Sequence, residues 1–421
     1  MSKEPKISET SAAAGTRPAE ADFLQNPGAA ELDSCVASEL RFPLIALIAI
    51  IHVTVAAPAE FPAAQSAIAL FQNVLTRVAV PLFFFISGYF YFFKTENFSA
   101  RTWLAKTRSR VATLLVPYVV WNAISAFQFF LRWKFSPETA AGATGADFLQ
   151  WLAVVRGGVP ENAVLTDVPA LGFLFAALAG TPLDGDVLPR PLVGQFWFVR
   201  DLFFVGIFSF AWFPILKNRV GAPLLICAAG ALWFALGNDL HVNAQCATPG
   251  IFFFCLGAFF AIRKIGFAAL AHKIRIPAAA VYAVLAFADW RWDAFGFSDV
   301  PALAALHAPI HDLAILVGAS ALVGWCAAGT RFGVLRGNAF LASSTFFVFG
   351  MHAPASRLFE AIFLPLFPQN SSLAILAAFA AFALFALAFS LALFALISRF
   401  VPALLVPLSG GRGRKTAGGS A

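Results

Sequence analysis

Charge is what this sequence has least of. Asp, Glu, Lys and Arg make up 12% of its 421 residues, where a soluble domain carries about 25%. With 60% hydrophobic residues, the chain could not cover itself with a polar surface in water, which excludes a soluble globular protein. Cysteine is sparse too. Of Cys35, Cys227, Cys246, Cys255 and Cys326, three lie in apolar segments, where a thiol behaves as a small hydrophobe. Only Cys246 falls in a loop expected outside the cell, so no disulfide framework is expected. There is no secretory signal at the N-terminus: residues 1–39 are polar, rich in Ala and Glu, and read as a disordered cytoplasmic tail. No internal repeat of the kind seen in some inverted-repeat transporters is visible.

What the chain does have is phenylalanine, 49 residues of it, and many apolar stretches near the length of a bilayer crossing. The Phe ring has no polar atom to satisfy in lipid. About ten spans are expected, over residues 42–58, 67–93, 111–131, 196–216, 222–237, 249–262, 277–290, 310–328, 346–366 and 372–407, the last broken near Pro402. The fold class is therefore all-α, a polytopic transmembrane helical bundle. It divides into the tail 1–39, a membrane domain 40–408 with a long extracytoplasmic loop 132–195, and a disordered cytoplasmic tail 409–421.

The net charge of +7 sits mainly in short loops. Residues 94–110 carry Lys94, Arg101, Lys106, Arg108 and Arg110, and 263–276 carry Arg263, Lys264, Lys273 and Arg275. Lys217 with Arg219, Arg331 with Arg336, and the C-terminal basic residues complete the set. All fall on one side if there are ten spans and both termini are cytoplasmic, while loops 59–66 and 367–371 have no Lys or Arg. Such basic loops suit topology signals and contacts with anionic lipids. No basic patch with interleaved aromatics is present, so nucleic acid is not an expected partner. The long loop 132–195 holds an apolar run, Pro169 to Ala179, too short to span.

Ionisable groups inside spans are costly and each needs a reason. Arg41 opens the first span and His52 lies eleven residues on, almost three full turns, so both project from one face about 16 Å apart. A neutral imidazole there can take a proton from an alcohol or simply hydrogen-bond a neighbouring helix. Arg77 lies within the second span and needs an acceptor, for which Asp201 is one option: a structural ion pair, or an anion site facing a cavity. Ser87-Gly88 fits close helix packing. Arg101, Arg108 and Arg110 match phosphate oxygens or act as a topology signal. Trp197 fits an interfacial aromatic belt, and the adjacent Arg200 and Asp201 are expected to point to different faces and find different partners. His307 and His311 share a helical face, but no third ligand accompanies them and no metal is expected. His352 stands within the ninth span, where packing or a role in the site are both open.

Taken together, these pieces resemble the acyltransferase 3 family of bacterial membrane acyltransferases. The resemblance rests on LRFPLIALIAIIHV with Arg41 and His52, RVAVPLFFFISGYFYF with Arg77, Ser87 and Gly88, and the basic stretch leading into Pro117-Tyr118. It continues through FWFVRDL with Trp197, FFFCLGAFF around Gly257, and FFVFGMHAP with His352. Phe42-Pro43 stands where the family often has Gly. The resemblance implies transfer of an acyl group, acetyl or else succinyl, from cytoplasmic acyl-coenzyme A to a hydroxyl of an extracytoplasmic glycan or lipid-linked saccharide. It implies a multi-pass protein of the bacterial inner membrane, with no permanently bound cofactor. On that implication His52 is the general base or a transient acyl carrier, Arg41 orients the thioester end, Arg77 stabilises the oxyanion, and Arg101, Arg108 and Arg110 hold the coenzyme phosphates. Ser87, Trp197, Arg200, Asp201 and His352 are further polar candidates. No esterase domain is expected after the last span, so the membrane domain completes the transfer. The rival from another class is a proton-coupled transporter or flippase of a glycan or small anion, with Arg41 and His52 as a relay.

Overall fold

A computed structural model describes residues 28–135, 191, 193–236, 241–242 and 246–411. Most of the loop 132–195, with the run from Pro169 to Ala179, and most of both tails lie outside the described residues.

Each of the ten expected spans falls on a helix or a jointed helix pair. The first is α1 (Ala29–Ile51). In the second, α2 (Pro62–Ala69) passes through a π turn at Leu70–Val74 and a 3₁₀ turn at Leu75–Val78 into α3 (Ala79–Phe92). The third joins α4 (Ala100–Arg110) to α5 (Val116–Lys134) through another π turn at Val111–Leu115. The fourth is bent by 60° between α6 (Trp197–Ile207) and α7 (Ser209–Lys217). There follow α8 (Gly221–Leu236), α9 (Thr248–Ile262), α10 (Phe267–Arg291), α11 (Pro301–Arg331), α12 (Ala339–Ile362) and α13 (Ser372–Phe400). The expected break near Pro402 is found: α13 stops at Phe400 and a short helix, α14 (Leu405–Ser409), resumes after a 3₁₀ turn. By length and apolarity alone, six of the described helices can cross a membrane, seven if the bent pair is one span, and α8 and α9 are shorter apolar helices.

Two boundaries differ from the sequence reading. The first helix starts at Ala29, so residues 29–39 are not part of a disordered tail. Glu31 accepts the Gly28 N–H at 3.2 Å, and Leu32 and Val36 are fully buried. Asp33 is fully buried as well, accepting the Tyr89 hydroxyl at 2.5 Å and the Ala268 N–H at 2.9 Å. One carboxylate thus joins α1 to α3 and satisfies an orphan donor in the first turn of α10. The second difference is that Ala100–Arg110, expected as a basic loop, is helical, capped by Ser99 accepting from the Thr102 N–H at 3.2 Å.

Apolar packing then sets how closely the helices approach. A Cβ on Gly88 would stand 2.0 Å from the Phe254 carbonyl oxygen, and one on Gly257 would stand 2.0 Å from that of Phe85. The α3 and α9 backbones therefore touch, which is the small-residue packing expected of Ser87-Gly88. Three of the basic loops meet at one end of the bundle: Lys264 lies 3.9 Å from Glu96, and Arg263 donates to the Asn218 carbonyl at 3.0 Å. We call this the basic end.

Candidate active site

A cavity of about 370 Å³ opens at the basic end between α1, α3, α4, α6 and α12, within the range of about 300–1,000 Å³ usual for ligand sites. Its polar lining includes Arg41, Ser87, Tyr91, Lys106, Arg110 and Thr345, and its apolar lining includes Phe83, Phe198 and Phe349. Among the described residues no Asp or Glu lines it. Lys106 and Arg110 are one turn apart on α4 and face the same way. Both lie over the Tyr91 ring, at 5.0 and 4.8 Å from its centroid, and Lys106 also donates to the Tyr91 carbonyl at 2.5 Å. The Tyr91 hydroxyl is bonded to Ser209 at 2.8 Å, which anchors the platform on α7. Three cations thus line the cleft, Arg41 exposed and Lys106 and Arg110 half-buried, and an arrangement of this kind suits an anion.

The other two arginines of the expected trio are elsewhere. Arg101 and Arg108 are exposed and do not line the cavity, because a helix places them on the face opposite Lys106 and Arg110. The 3.6-residue period of α4 would have separated these faces in the sequence, had the stretch been read as a helix.

At its inner limit the cavity is bounded by Phe349, whose ring centroid is 5.9 Å from that of His352. His352 in turn lies 5.4 Å from His52, ring to ring. The two histidines, three hundred residues apart in sequence, thus meet just beyond the cavity. His352 is fully buried. Its Nδ1 is 3.3 Å from the Val348 carbonyl, and its Nε2 has no hydrogen-bond partner. His52 caps the C-terminal end of α1, where carbonyls lack intrahelical partners. Gln72, in the π turn, supplies the missing donor: its Nε2 reaches the carbonyl of Val53 at 2.6 Å and those of Ile50 and Ile51 at 3.3 Å. This side chain fixes the chain on both sides of His52, and π turns are often found at functional sites. Nothing in the local sequence marked it.

Arg77 stands on the 3₁₀ turn that follows, exposed rather than buried deep in a span. It donates to Asn73 at 3.1 Å and is near enough to act electrostatically on His52. Asp201, considered as its partner, bonds Arg200 at 3.0 Å in a buried pair. The expectation that these neighbours point apart is therefore corrected: the long Arg200 side chain folds back along α6. Trp197 is half-buried at the start of α6 and packs against the core. Ser87 lines the cavity beside the helix contact at Gly88.

His307 and His311 share one carboxylate partner. His307 Nε2 and His311 Nδ1 bond the two oxygens of one buried carboxylate, Asp289, at 2.9 and 2.8 Å. Among the described residues no group of three or more metal-ligating side chains could hold a metal ion.

Residues 40–398 match the model of a protein family described as an acyltransferase domain. No curated protein and no solved structure matches the chain.

Proposed function

Since the chain belongs to the acyltransferase 3 family and is a membrane acyltransferase, we propose that it transfers an acetyl group from cytoplasmic acetyl-coenzyme A to a hydroxyl of a glycan or lipid-linked saccharide on the far side of a bacterial cytoplasmic membrane. The observation that carries this reading is the cavity with Arg41, Lys106 and Arg110 and no lining acid. Among the described residues neither Arg41 nor Arg110 has a carboxylate partner, which favours an anionic ligand beside them. The positive-inside rule puts the basic end in the cytoplasm, where the coenzyme is found.

In this reading Lys106 and Arg110 take the coenzyme phosphates, and the pantetheine arm runs along the aromatic wall past Arg41 toward Phe349. The thioester then approaches the His352–His52 pair. His52 accepts the proton of the acceptor hydroxyl as its oxygen attacks the thioester carbonyl. The C–S bond breaks, the coenzyme sulfur leaves as thiolate and takes up a proton, and the acyl group ends as an ester on the acceptor. Arg77 supplies positive charge on the acceptor side while the carbonyl oxygen is negative. His352 backs His52 and excludes water from between the cavity and the base.

Calorimetric titration of detergent-purified protein with acetyl-coenzyme A tests the donor site. Exchanging both Lys106 and Arg110 for Ala is expected to weaken binding by about 100-fold or more, since each charge-assisted contact contributes about 1.5–3 kcal/mol. Exchanging both Arg101 and Arg108 is expected to leave it within about twofold, as for exposed charges. No binding of either acetyl- or succinyl-coenzyme A by folded wild type would overturn the reading. Preference for succinyl-coenzyme A would change the acyl group assigned and keep the site.

A further inference from the structure

A second hollow lies beside the cavity at the basic end, between α7 and the turn that leads into α4. It measures about 510 Å³ and is open to the surface. Phe98, Phe210, Phe213, Pro214, Lys217 and Asn218 line it, and among the described residues no Asp or Glu does. The Asn218 carbonyl that accepts from Arg263 places it among the basic loops.

Two sets of contacts tie this hollow to the cavity. Tyr91 lines the cavity beneath Lys106 and Arg110, and its ring lies 6.3 Å from that of Phe98. Phe98 in turn lies 5.1 Å from Phe213, with the ring planes 29° apart. On α4, Trp103 stands one turn before Lys106. Its ring meets Phe210 at 6.0 Å, and its indole N–H donates to the Ile207 carbonyl at 2.8 Å. The Tyr91 platform and the hollow therefore share a wall.

The groups around the hollow differ from those in the cavity. Lys217 stands in the last turn of α7, over the Phe213 ring at 5.9 Å. Among the described residues no carboxylate pairs with it. A cation in a last turn suits the helix macrodipole, which explains the charge but not the hollow beside it. Asn218 Oδ1 accepts the N–H groups of Val220 and Gly221, both at 2.9 Å. Its orientation is thereby fixed, and its Nδ2 is left to donate. Phe210 is 55% exposed. An exposed ring, an amide donor and a cation around one hollow suit a phosphorylated heterocyclic base. The base stacks on the ring, its ring nitrogens accept from the amide, and the ammonium pairs with the phosphate. A lipid headgroup has no flat base for Phe210 and no ring nitrogen for Asn218.

We propose that this hollow seats the adenosine end of the acyl-donor coenzyme, with the base against Phe210, Asn218 donating to a ring nitrogen, and Lys217 on the ribose 3′-phosphate. The diphosphate then lies across the shared wall at Lys106 and Arg110, and the ribose bridges the two. This assignment rests on the acyl-transfer reading and adds to it the residues that recognise the nucleotide.

Calorimetric titration of the full-length protein in detergent tests it by comparing coenzyme A with dephospho-coenzyme A, which lacks the 3′-phosphate. Wild type is expected to bind coenzyme A about tenfold more tightly, the lower end for a charge-assisted contact. Lys217→Ala is expected to weaken coenzyme A by about tenfold and to leave dephospho-coenzyme A within about twofold, so that the preference disappears. Phe210→Ala is expected to weaken both by about tenfold, as for a lost stacking surface, with the preference retained. Lys217 is exposed, so its exchange leaves the core untouched. If Phe210→Ala does not fold, Phe210→Leu carries the same readout, since Leu fills the space without a flat face. A wild type with no preference, or a folded Lys217→Ala protein that keeps it, overturns the proposal. Folded wild type that binds neither compound nor acetyl- or succinyl-coenzyme A overturns the acyl-transfer reading itself, a result distinct from the first because it appears before any variant is made.

Discussion

Two histidine clusters sit in this molecule, and they are built in opposite ways. At the junction of α10 and α11, His307 and His311 share the two oxygens of Asp289, and the Trp292 ring lies parallel to His307 at 5.0 Å. Every oxygen of that carboxylate is used, and the cluster ties two helices together. In the other cluster, His52 and His352 face each other at 5.4 Å with no carboxylate between them, and one ring nitrogen is buried without a partner. A satisfied polar cluster contributes to stability, whereas an unsatisfied one costs stability and calls for an explanation, of which a catalytic role is one. Sequence spacing treats the two alike, since four residues between histidines is as suggestive as eleven between Arg41 and His52. Their hydrogen bonds separate them.

Three changes would break or sharpen that contrast. The largest effect is expected for His352→Gln, which keeps a polar side chain but removes the imidazole. Transfer of label from acetyl-coenzyme A should fall about 10²-fold, the loss that a small misplacement of the base it backs would bring, with the folded fraction unchanged by circular dichroism. Next is Gln72→Leu. Removing the donor to the Ile50, Ile51 and Val53 carbonyls loosens the chain at His52, and kcat should drop about tenfold while acetyl-coenzyme A affinity holds, as a small misplacement of a catalytic group is costly. The smallest effect on chemistry is expected for Asp289→Ala. Transfer per folded molecule should match wild type, while unfolding in detergent should show a loss of about 1–3 kcal/mol from two imidazoles deprived of their acceptor. A large fall in transfer in that variant would mean that the two clusters are not separate in role.

Much of the bundle was legible in the sequence because hydropathy and charge report membrane crossing directly: the ten apolar segments each found a helix, and three of the loops rich in Lys and Arg met at one end. Arg41 and His52 were legible because helix periodicity fixes their relative face. Other features were hidden for physical reasons. Asp33 is polar and lies before the apolar run, so hydropathy assigned it to a tail, yet it is a fully buried link between three helices. Gln72 acts through a π turn, which has no local sequence signal. Lys106 was passed over in favour of Arg101 and Arg108 because a loop has no faces, whereas a helix does.

The central claim is that His52 accepts the proton of the acceptor in transfer from acyl-coenzyme A. The most direct test is the initial rate of label transfer from acetyl-coenzyme A to base-treated envelope glycan by His52→Ala protein in lipid vesicles, beside wild type of equal melting temperature. A loss of about 10³-fold is expected from removing a general base, with acetyl-coenzyme A binding retained. Full transfer by the folded variant would contradict the claim and remove His52 from the mechanism.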